Sequence, residues 1–343
     1  MTMAGSPEID ALLDRIGTAL ASTDRSPADM RQFRRLMASA ADLIGGRASP
    51  LDVKIAATTV QEMTRAFEMF APYRDVRKVT MFGSARTTSD NPIYALAASA
   101  AKAVADAGFM VVTGAGPGIM EAGMLGAGRE NSIGVSIRLP FETAANSVIA
   151  GDDKYVSMRY FFTRKLMLVK ESHAFLCMPG GFGTLDETFE LLTLAQTAKS
   201  VPVPIVMLEV EGDPFWSPLM ERMEPLLVRH GLISESDTTL YTITDSVEAA
   251  VLEIVGFYSN YDSIRYVDDR LFIRIRRPVP EPDLKALSDR FARLSADGRL
   301  EQGGPTAREK AEGDRPELVR IGLDYVGKGF ADLRPLIDAL NAY

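Results

Sequence analysis

The sequence predicts an α/β fold, a doubly wound parallel sheet. Three observations predict it. From residue 76 onward, short apolar runs rich in β-branched residues alternate with helical patterns; several of those runs end in glycine; and a helical pattern starts directly behind each glycine turn. Strands of a parallel sheet read as near-continuous apolar runs because helices cover both faces.

Taken in order, residues 76–82 read as a strand ending at Gly83-Ser84, with a helix over about 94–107. Residues 109–113 form a second strand, ending at Gly114-Ala115-Gly116-Pro117-Gly118, with a helix over about 119–129. A third strand covers 132–139, and a helix is expected over 157–171. A fourth strand, 174–178, runs into Pro179-Gly180-Gly181, followed by a helix over about 184–199 and a strand over 204–208. Together they give a Rossmann-like core spanning residues 73–258. Residues 1–72 read as a helical N-terminal extension, with apolar residues at helical spacing (Ile9, Leu12, Leu13, Ile16) and no phosphate loop or cluster of catalytic residue types. Residues 259–343 read as a small α+β C-terminal appendage. It has a strand or hairpin at 264–276, a helix at 280–294, a mobile Gly-, Pro- and charge-rich loop at 301–316, a strand at 318–323 and a helix at 333–340. There is no internal repeat.

Composition narrows the function. A net charge of −8 argues against a non-specific nucleic-acid binder, which needs a basic surface to displace counterions, and gives no attraction to an anionic membrane. Cys177 is the only cysteine, so it has no internal disulfide partner; with only His173 and His230 beside it, a Cys/His zinc cluster is excluded, and no metal or cofactor is expected. The first residues lack the basic-then-apolar pattern of a signal peptide, and no apolar run approaches the roughly 18–20 residues of a membrane span. The expected location is the cytoplasm.

Ligands of an open parallel sheet bind beyond the carboxyl ends of the strands. Glycines there let backbone N–H groups approach an anion, and a helix N-terminus behind them adds about half a positive charge. Gly83-Ser84, Gly114 to Gly118 and Gly180 to Thr184 therefore form a candidate phosphate site. Dinucleotide binding is disfavoured: Ile119 occupies the last glycine position of G-x-G-x-x-G, and Arg138 stands where an acidic residue would hold the ribose. No P-loop Gly-Lys-Ser/Thr is present.

Two features carry the chemistry. In Pro179-Gly180-Gly181-Phe182-Gly183-Thr184-Leu185-Asp186-Glu187, the spacing Thr184-x-x-Glu187 reads as a capping box, with Glu187 folded back onto the helix start. Glu187 is also expected opposite a stripe of Leu185, Phe189 and Leu192, facing away from the core, where a carboxylate at the mouth of an anion site needs a task. On the preceding helix, Lys165 falls amid Met158, Phe161, Phe162, Leu168 and Val169, with Arg164 at the margin. A lysine on an apolar face requires a carboxylate, a carbonyl or a ligand; it makes either a structural ion pair or, with Arg164, a contact to a sugar phosphate. Cys177 reads as a packed core residue, and Arg274, Arg276 and Arg277 as a solvated strand face. His173 is expected at the start of its strand and His230 near a helix end, neither with a catalytic partner.

At these residues the chain resembles the Lonely Guy (LOG) family of phosphoribohydrolases, long labelled lysine decarboxylases. Pro179 to Glu187 match the family signature P-G-G-x-G-T-x-x-E in full, Arg164-Lys165 match its upstream Arg-Lys pair, Gly83-Ser84 its first loop, and Gly114 to Glu121 (GAGPGIME) its second loop as found in longer bacterial members. The resemblance covers roughly residues 76–258. It implies a Rossmann-like fold, a homodimer or higher homo-oligomer, and hydrolysis of the N-glycosidic bond of a nucleoside 5′-monophosphate, AMP-like or a cytokinin riboside 5′-monophosphate, to free base and ribose 5-phosphate. It also implies Arg164 and Glu187 as catalytic residues. Substrate phosphate is expected on Gly83, Ser84, Gly114, Gly116, Gly118, Lys165, Gly180, Gly181, Gly183 and Thr184. The decarboxylase label fails, because no Schiff-base lysine with a pyridinium partner is found. The run Ser157 to Thr163 departs from plant-type members, so Arg159, Phe161 or Phe162 are candidates to select an unmodified purine. The alternative reading is a non-catalytic carrier of a phosphate-bearing pterin such as molybdenum cofactor, or a nucleotide sensor.

Overall fold

The computed structural model describes residues 7–20, 26–138, 145–327 and 329–343. Residues 21–25 of the expected helical run and residue 139, the expected end of the third strand, lie outside the described residues. The chain divides into two compact units, the first ending at Arg65 and the second running from Ala66 to Tyr343.

The first unit is helical: α1 (Pro7–Leu20), α2 (Pro27–Gly45) and most of α3 (Pro50–Phe70). Its helix starts follow from local chemistry. Ser26 Oγ accepts from the Asp29 amide at 3.2 Å while the Asp29 carboxylate accepts from the Ser26 amide at 3.1 Å, a reciprocal cap. Ser49 and Asp52 repeat it ahead of α3.

The second unit holds two sheets. In chain order its elements are β1 (Lys78–Phe82), α4 (Pro92–Asp106), β2 (Met110–Thr113), α5 (Ile119–Ala127), β3 (Ser132–Ile137), β4 (Tyr155–Met158), α6 (Phe161–Lys170), β5 (Ala174–Cys177), α7 (Phe182–Gln196), β6 (Ile205–Leu208), α8 (Trp216–Arg229), β7 (Thr242–Thr244) and α9 (Val247–Gly256). The strands form one seven-stranded sheet in the order β4-β3-β2-β1-β5-β6-β7. Every pairing is parallel. Central strands β1, β2, β5 and β6 are buried along their whole length. This is the doubly wound, Rossmann-like α/β fold. Even Lys78, wholly buried in β1, is accommodated: its ammonium donates to the carbonyls of Tyr73 at 2.6 Å and Val76 at 2.8 Å.

The expected helix over 157–171 begins too early. Tyr155–Met158 is strand β4, and α6 starts at Phe161. Met158 thus belongs to the sheet, and Phe161 and Phe162 are half exposed rather than part of a buried stripe; α6 buries Thr163, Met167 and Leu168.

The second sheet follows: β8 (Tyr261–Val267), β9 (Arg270–Ile275), α10 (Glu281–Phe291), β10 (Glu301–Gly303), α11 (Ala307–Glu312), β11 (Val319–Leu323) and α12 (Phe330–Asn341), with strand order β10-β11-β9-β8, all antiparallel. The region expected as a loop at 301–316 contains β10 and α11. Its organiser is Glu309, fully buried and bonded to Arg274 at 2.7 Å and Arg320 at 3.1 Å. The expected solvated arginine face is therefore corrected at Arg274, which is buried. Arg276 and Arg277 tie backbone instead, donating to the carbonyls of Tyr261 at 2.9 Å and Tyr343 at 2.7 Å. Buried Asn260 joins the hairpin to α12 through Leu340 and Asn341, and Tyr258 Oη reaches the His173 carbonyl of the parallel sheet at 2.5 Å.

Candidate active site

The winding direction of the parallel sheet reverses between β1 and β5: β2, β3 and β4 extend on one side, β6 and β7 on the other. A crevice opens beyond the carboxyl ends of the two strands at such a switch point. Here it is a cleft of about 1640 Å³ among the described residues, floored by the turns after β1, β2 and β5 and by the start of α7. That exceeds the roughly 300–1,000 Å³ of a small-ligand pocket.

All three glycine turns meet there. Ser84 N–H donates to the Pro179 carbonyl at 3.3 Å, and the Ile119 amide donates to the Ser84 carbonyl at 3.0 Å, locking the turns together. Gly118, at φ +67°, is required on two counts, because a Cβ would also sit 2.4 Å from that Ser84 carbonyl oxygen. Gly83 gives way to Ile119, and Gly116 to Met120. Gly180 lies against the Thr184 hydroxyl, where a Cβ would come within 2.2 Å. Gly114 makes space for Arg164: a Cβ would fall 2.0 Å from its guanidinium Nη2. Gly181 and Gly183 meet nothing within 4 Å and border the open cleft.

The expected capping box at Thr184 and Glu187 does not form. Gly181 is the N-cap of α7, the helix starts at Phe182, and no side chain caps it. Thr184 is thus already in the first turn, and Glu187 lies six residues beyond the cap. The leading amides of α7 stay open to an anion. The phase of the helix shifts with its start: α7 buries Thr184, Glu187, Thr188, Leu191 and Ala195, so Glu187 points inward and not away from the core.

Glu187 is 8% exposed, lines the cleft, and its Oε2 is buried with no hydrogen-bond partner. Burial raises its carboxyl above the usual range; Lys165 and Arg164 pull it back, while Glu190 and Asp186 push it further up. Arg164 also lines the cleft and donates through Nε to the Val135 carbonyl at 3.0 Å, which fixes it to β3. Of the two readings left open for Lys165, the structure contains the ion pair: its ammonium lies 2.7 Å from Asp186, 2.7 Å from Glu190 and 3.9 Å from Glu187 Oε2. Against the burial that disfavours its charge, the bonds to Asp186 and Glu190 hold it above its usual range.

The other candidates are structural. Cys177 is fully buried, and burial pushes its thiol up to about 12. His173 accepts the Lys78 amide through Nδ1 at 3.2 Å, and burial, with Lys78 and Arg77 nearby, lowers it to about 4. His230 caps the end of α8. The N-terminus of α8, beside the cleft, is already neutralised: Glu209 Oε2 accepts the amides of Phe215, Trp216 and Ser217. α7 keeps its start uncapped at the cleft, as α5 and α6 also do. Among the described residues no group of three or more His, Cys, Asp or Glu is placed to hold a metal ion, and no helix is long and apolar enough to cross a membrane.

Sequence reasoning missed several cleft residues. Arg86, Glu121, Arg138, Tyr155, Phe215 and Arg222 all line it. Glu121 lies in the first turn of α5 behind the Gly114 to Gly118 loop and Arg138 just after β3, so the local sequence marks both positions. Phe215 and Arg222 arrive from α8 and its approach, with no local signal.

Residues 115–254 match the family described as "Possible lysine decarboxylase". The "Cytokinin riboside 5′-monophosphate phosphoribohydrolase LOG" of Oryza sativa subsp. japonica is 28% identical over 108 residues, 32% of this chain and 43% of that protein. LOG1 of Arabidopsis thaliana, of the same description, is 29% identical over 101 residues, 29% of this chain and 46% of that protein. The chain therefore spans less than half the length of these relatives. Among solved structures, the molybdenum cofactor carrier protein of Chlamydomonas reinhardtii aligns over 51% of this chain and 94% of its own, at 19% identity and a TM-score of 0.36. Over residues 115–254 and the stretches aligned with these relatives, the chain is thus similar to the Lonely Guy phosphoribohydrolases.

Proposed function

We propose that this protein hydrolyses the N-glycosidic bond of a nucleoside 5′-monophosphate, releasing the base and ribose 5-phosphate. The observation that carries the reading is Glu187: a buried carboxylate with one oxygen lacking a hydrogen-bond partner, near Arg164, in a cleft that also takes in the uncapped start of its own helix.

The 5′-phosphate sits on the leading amides of α7 and the Gly83-Ser84 turn, with the Thr184 hydroxyl in reach. This remote binding energy positions the sugar. As the C1′–N bond breaks, its electron pair leaves with the base and positive charge spreads over C1′ and the ring oxygen. Glu187 stabilises that charge, and its bare oxygen accepts a proton from the water that attacks C1′; the departing base takes up that proton, which restores the carboxylate. A carboxyl raised above its usual range is better matched to that proton transfer near neutral pH. Arg164 orients the sugar or the departing base.

The test is a panel of nucleoside 5′-monophosphates, purine, pyrimidine and cytokinin, assayed for free base and ribose 5-phosphate. Turnover of at least one is expected. Absence of turnover across the panel overturns the reading; carriage of a phosphate-bearing pterin then becomes the next reading, read out by the absorption and fluorescence of freshly purified protein.

A further inference from the structure

The bareness of Glu187 Oε2 needs a cause, because a lysine ammonium stands 3.9 Å away on the facing helix. A flexible ammonium next to a buried carboxylate ordinarily closes to hydrogen-bond distance, since each offsets the desolvation of the other. Here it does not. Asp186 and Glu190 lie four residues apart on α7, on one helical face, and each holds Lys165 at 2.7 Å.

The structure assigns Asp186 and Glu190 as positioning residues: by holding the Lys165 ammonium between them, they keep it off Glu187 and leave that carboxylate oxygen free for the reacting centre. This rests on the proposed hydrolysis and deepens it, since it names what keeps the general base available. The charged and titratable groups around Glu187 are Arg164 and Lys165 from α6, Asp186 and Glu190 from its own helix, and the Cys177 thiol from β5. Cys177 stays neutral, so the balance lies between two cations and two further carboxylates.

Removing the two carboxylates frees Lys165 to close on Glu187, where it occupies the oxygen and draws the carboxyl to a lower pKa. A merely electrostatic role for Asp186 and Glu190 also lowers that pKa, so the deciding comparison concerns Lys165. The Asp186 side chain is 64% exposed and that of Glu190 36%, so Asp186→Asn/Glu190→Gln is compatible with folding.

The experiment is a carbon-13 NMR titration of the Glu187 carboxyl in the full chain. It compares the parent, Lys165→Met, Asp186→Asn/Glu190→Gln and the triple variant. The proposal requires Lys165→Met to raise the Glu187 midpoint by about half a unit in the parent and by about one unit or more in the double background, where the ammonium sits closer. Equal shifts in the two backgrounds overturn it. Kinetics give a second readout on a monophosphate the parent hydrolyses. In the double variant kcat falls about tenfold or more with KM little changed, and the acid limb of the kcat profile moves to lower pH. An acid limb that stays in place, or a loss confined to KM, also overturns the proposal. A parent inert on every monophosphate defeats the hydrolase reading alone, because the NMR cycle still decides the placement of Lys165.

Discussion

Glu187 on α7 and Glu309 on α11 are both buried carboxylates, and their surroundings are opposite. Glu309 is fully buried, accepts from Arg274 and Arg320, and closes a reciprocal cap with Thr306 at the start of α11. Glu187 is nearly as buried, yet one of its oxygens has no hydrogen-bond partner. The same residue type therefore serves as a structural anchor where its oxygens are matched, and under the proposed hydrolysis serves as the reagent where one is not. Buried polar atoms without partners cost stability, about 1–3 kcal/mol each and more when charged, so a native chain keeps one only where something else requires it. The first way to break this comparison is Glu187→Gln. We expect kcat for base release to fall by about 10²–10⁴, with a melting temperature equal to the parent's or above it. Near-normal turnover in a folded variant places Glu187 with the structural carboxylates.

The mirror experiment is Glu309→Gln. It strands Arg274 and Arg320 in the interior, and removing one partner of a buried charge network costs about 3–5 kcal/mol. Urea denaturation should show a loss of that order, while the folded fraction keeps the parent's kcat, because the network lies in the antiparallel sheet. Between these extremes stands Gly114→Ala. Its Cβ, placed 2.0 Å from Arg164 Nη2 and 2.7 Å from Met120 Sδ, forces the guanidinium to shift without touching Glu187. A displacement of about 1 Å at a reacting centre costs on the order of 10²-fold, so kcat/KM should drop by about that factor with Tm little changed. A variant as active as the parent separates Arg164 from the chemistry.

The contrast also separates what the sequence discloses from what it conceals. The parallel sheet is legible because its signals are local: a central strand is apolar on both faces, and the glycine that ends it is adjacent in the chain. β4 escapes because Tyr155–Met158 is a four-residue edge strand of alternating burial, two residues before a helix and with no glycine between. The phase of α7 escapes because its inward face carries Thr184, Glu187 and Thr188, so hydrophobicity points to the wrong side. The Thr-x-x-Glu spacing fits a cap, but Gly181 starts the helix first. α11 escapes for another reason: Glu309 earns its burial from Arg274 and Arg320, 35 and 11 residues away, and nothing near Glu309 announces them. The candidate site was legible as a set of turns, whereas the bare oxygen of Glu187 and the placement of Lys165 belong to packing.

The smallest effect expected, and the one that tests the comparison in a single measurement, is on the pH dependence of stability. Glu309 is pulled down to about 2: its bonds to Thr306, Arg274 and Arg320 outweigh the burial that alone would raise it. A depressed carboxyl gives stability that is complete above the unfolded value of about 4.5 and is lost as pH falls toward about 2. Glu187 has the opposite sign. Burial raises its folded value above 4.5, so the native state binds more protons than the unfolded chain between the two values. Its contribution is then complete below about 4.5 and is lost as pH rises through the folded value. Stability curves of Glu187→Gln and Glu309→Gln, measured by urea denaturation from about pH 3 to about pH 8, should therefore diverge from the parent in different windows. The deficit of Glu309→Gln should shrink below about pH 4.5, whereas Glu187→Gln should gain on the parent above it. A gap for Glu187→Gln that stays constant across the range means that its carboxyl titrates alike in the folded and unfolded chain, and the bare oxygen then carries no free energy to spend on the reaction.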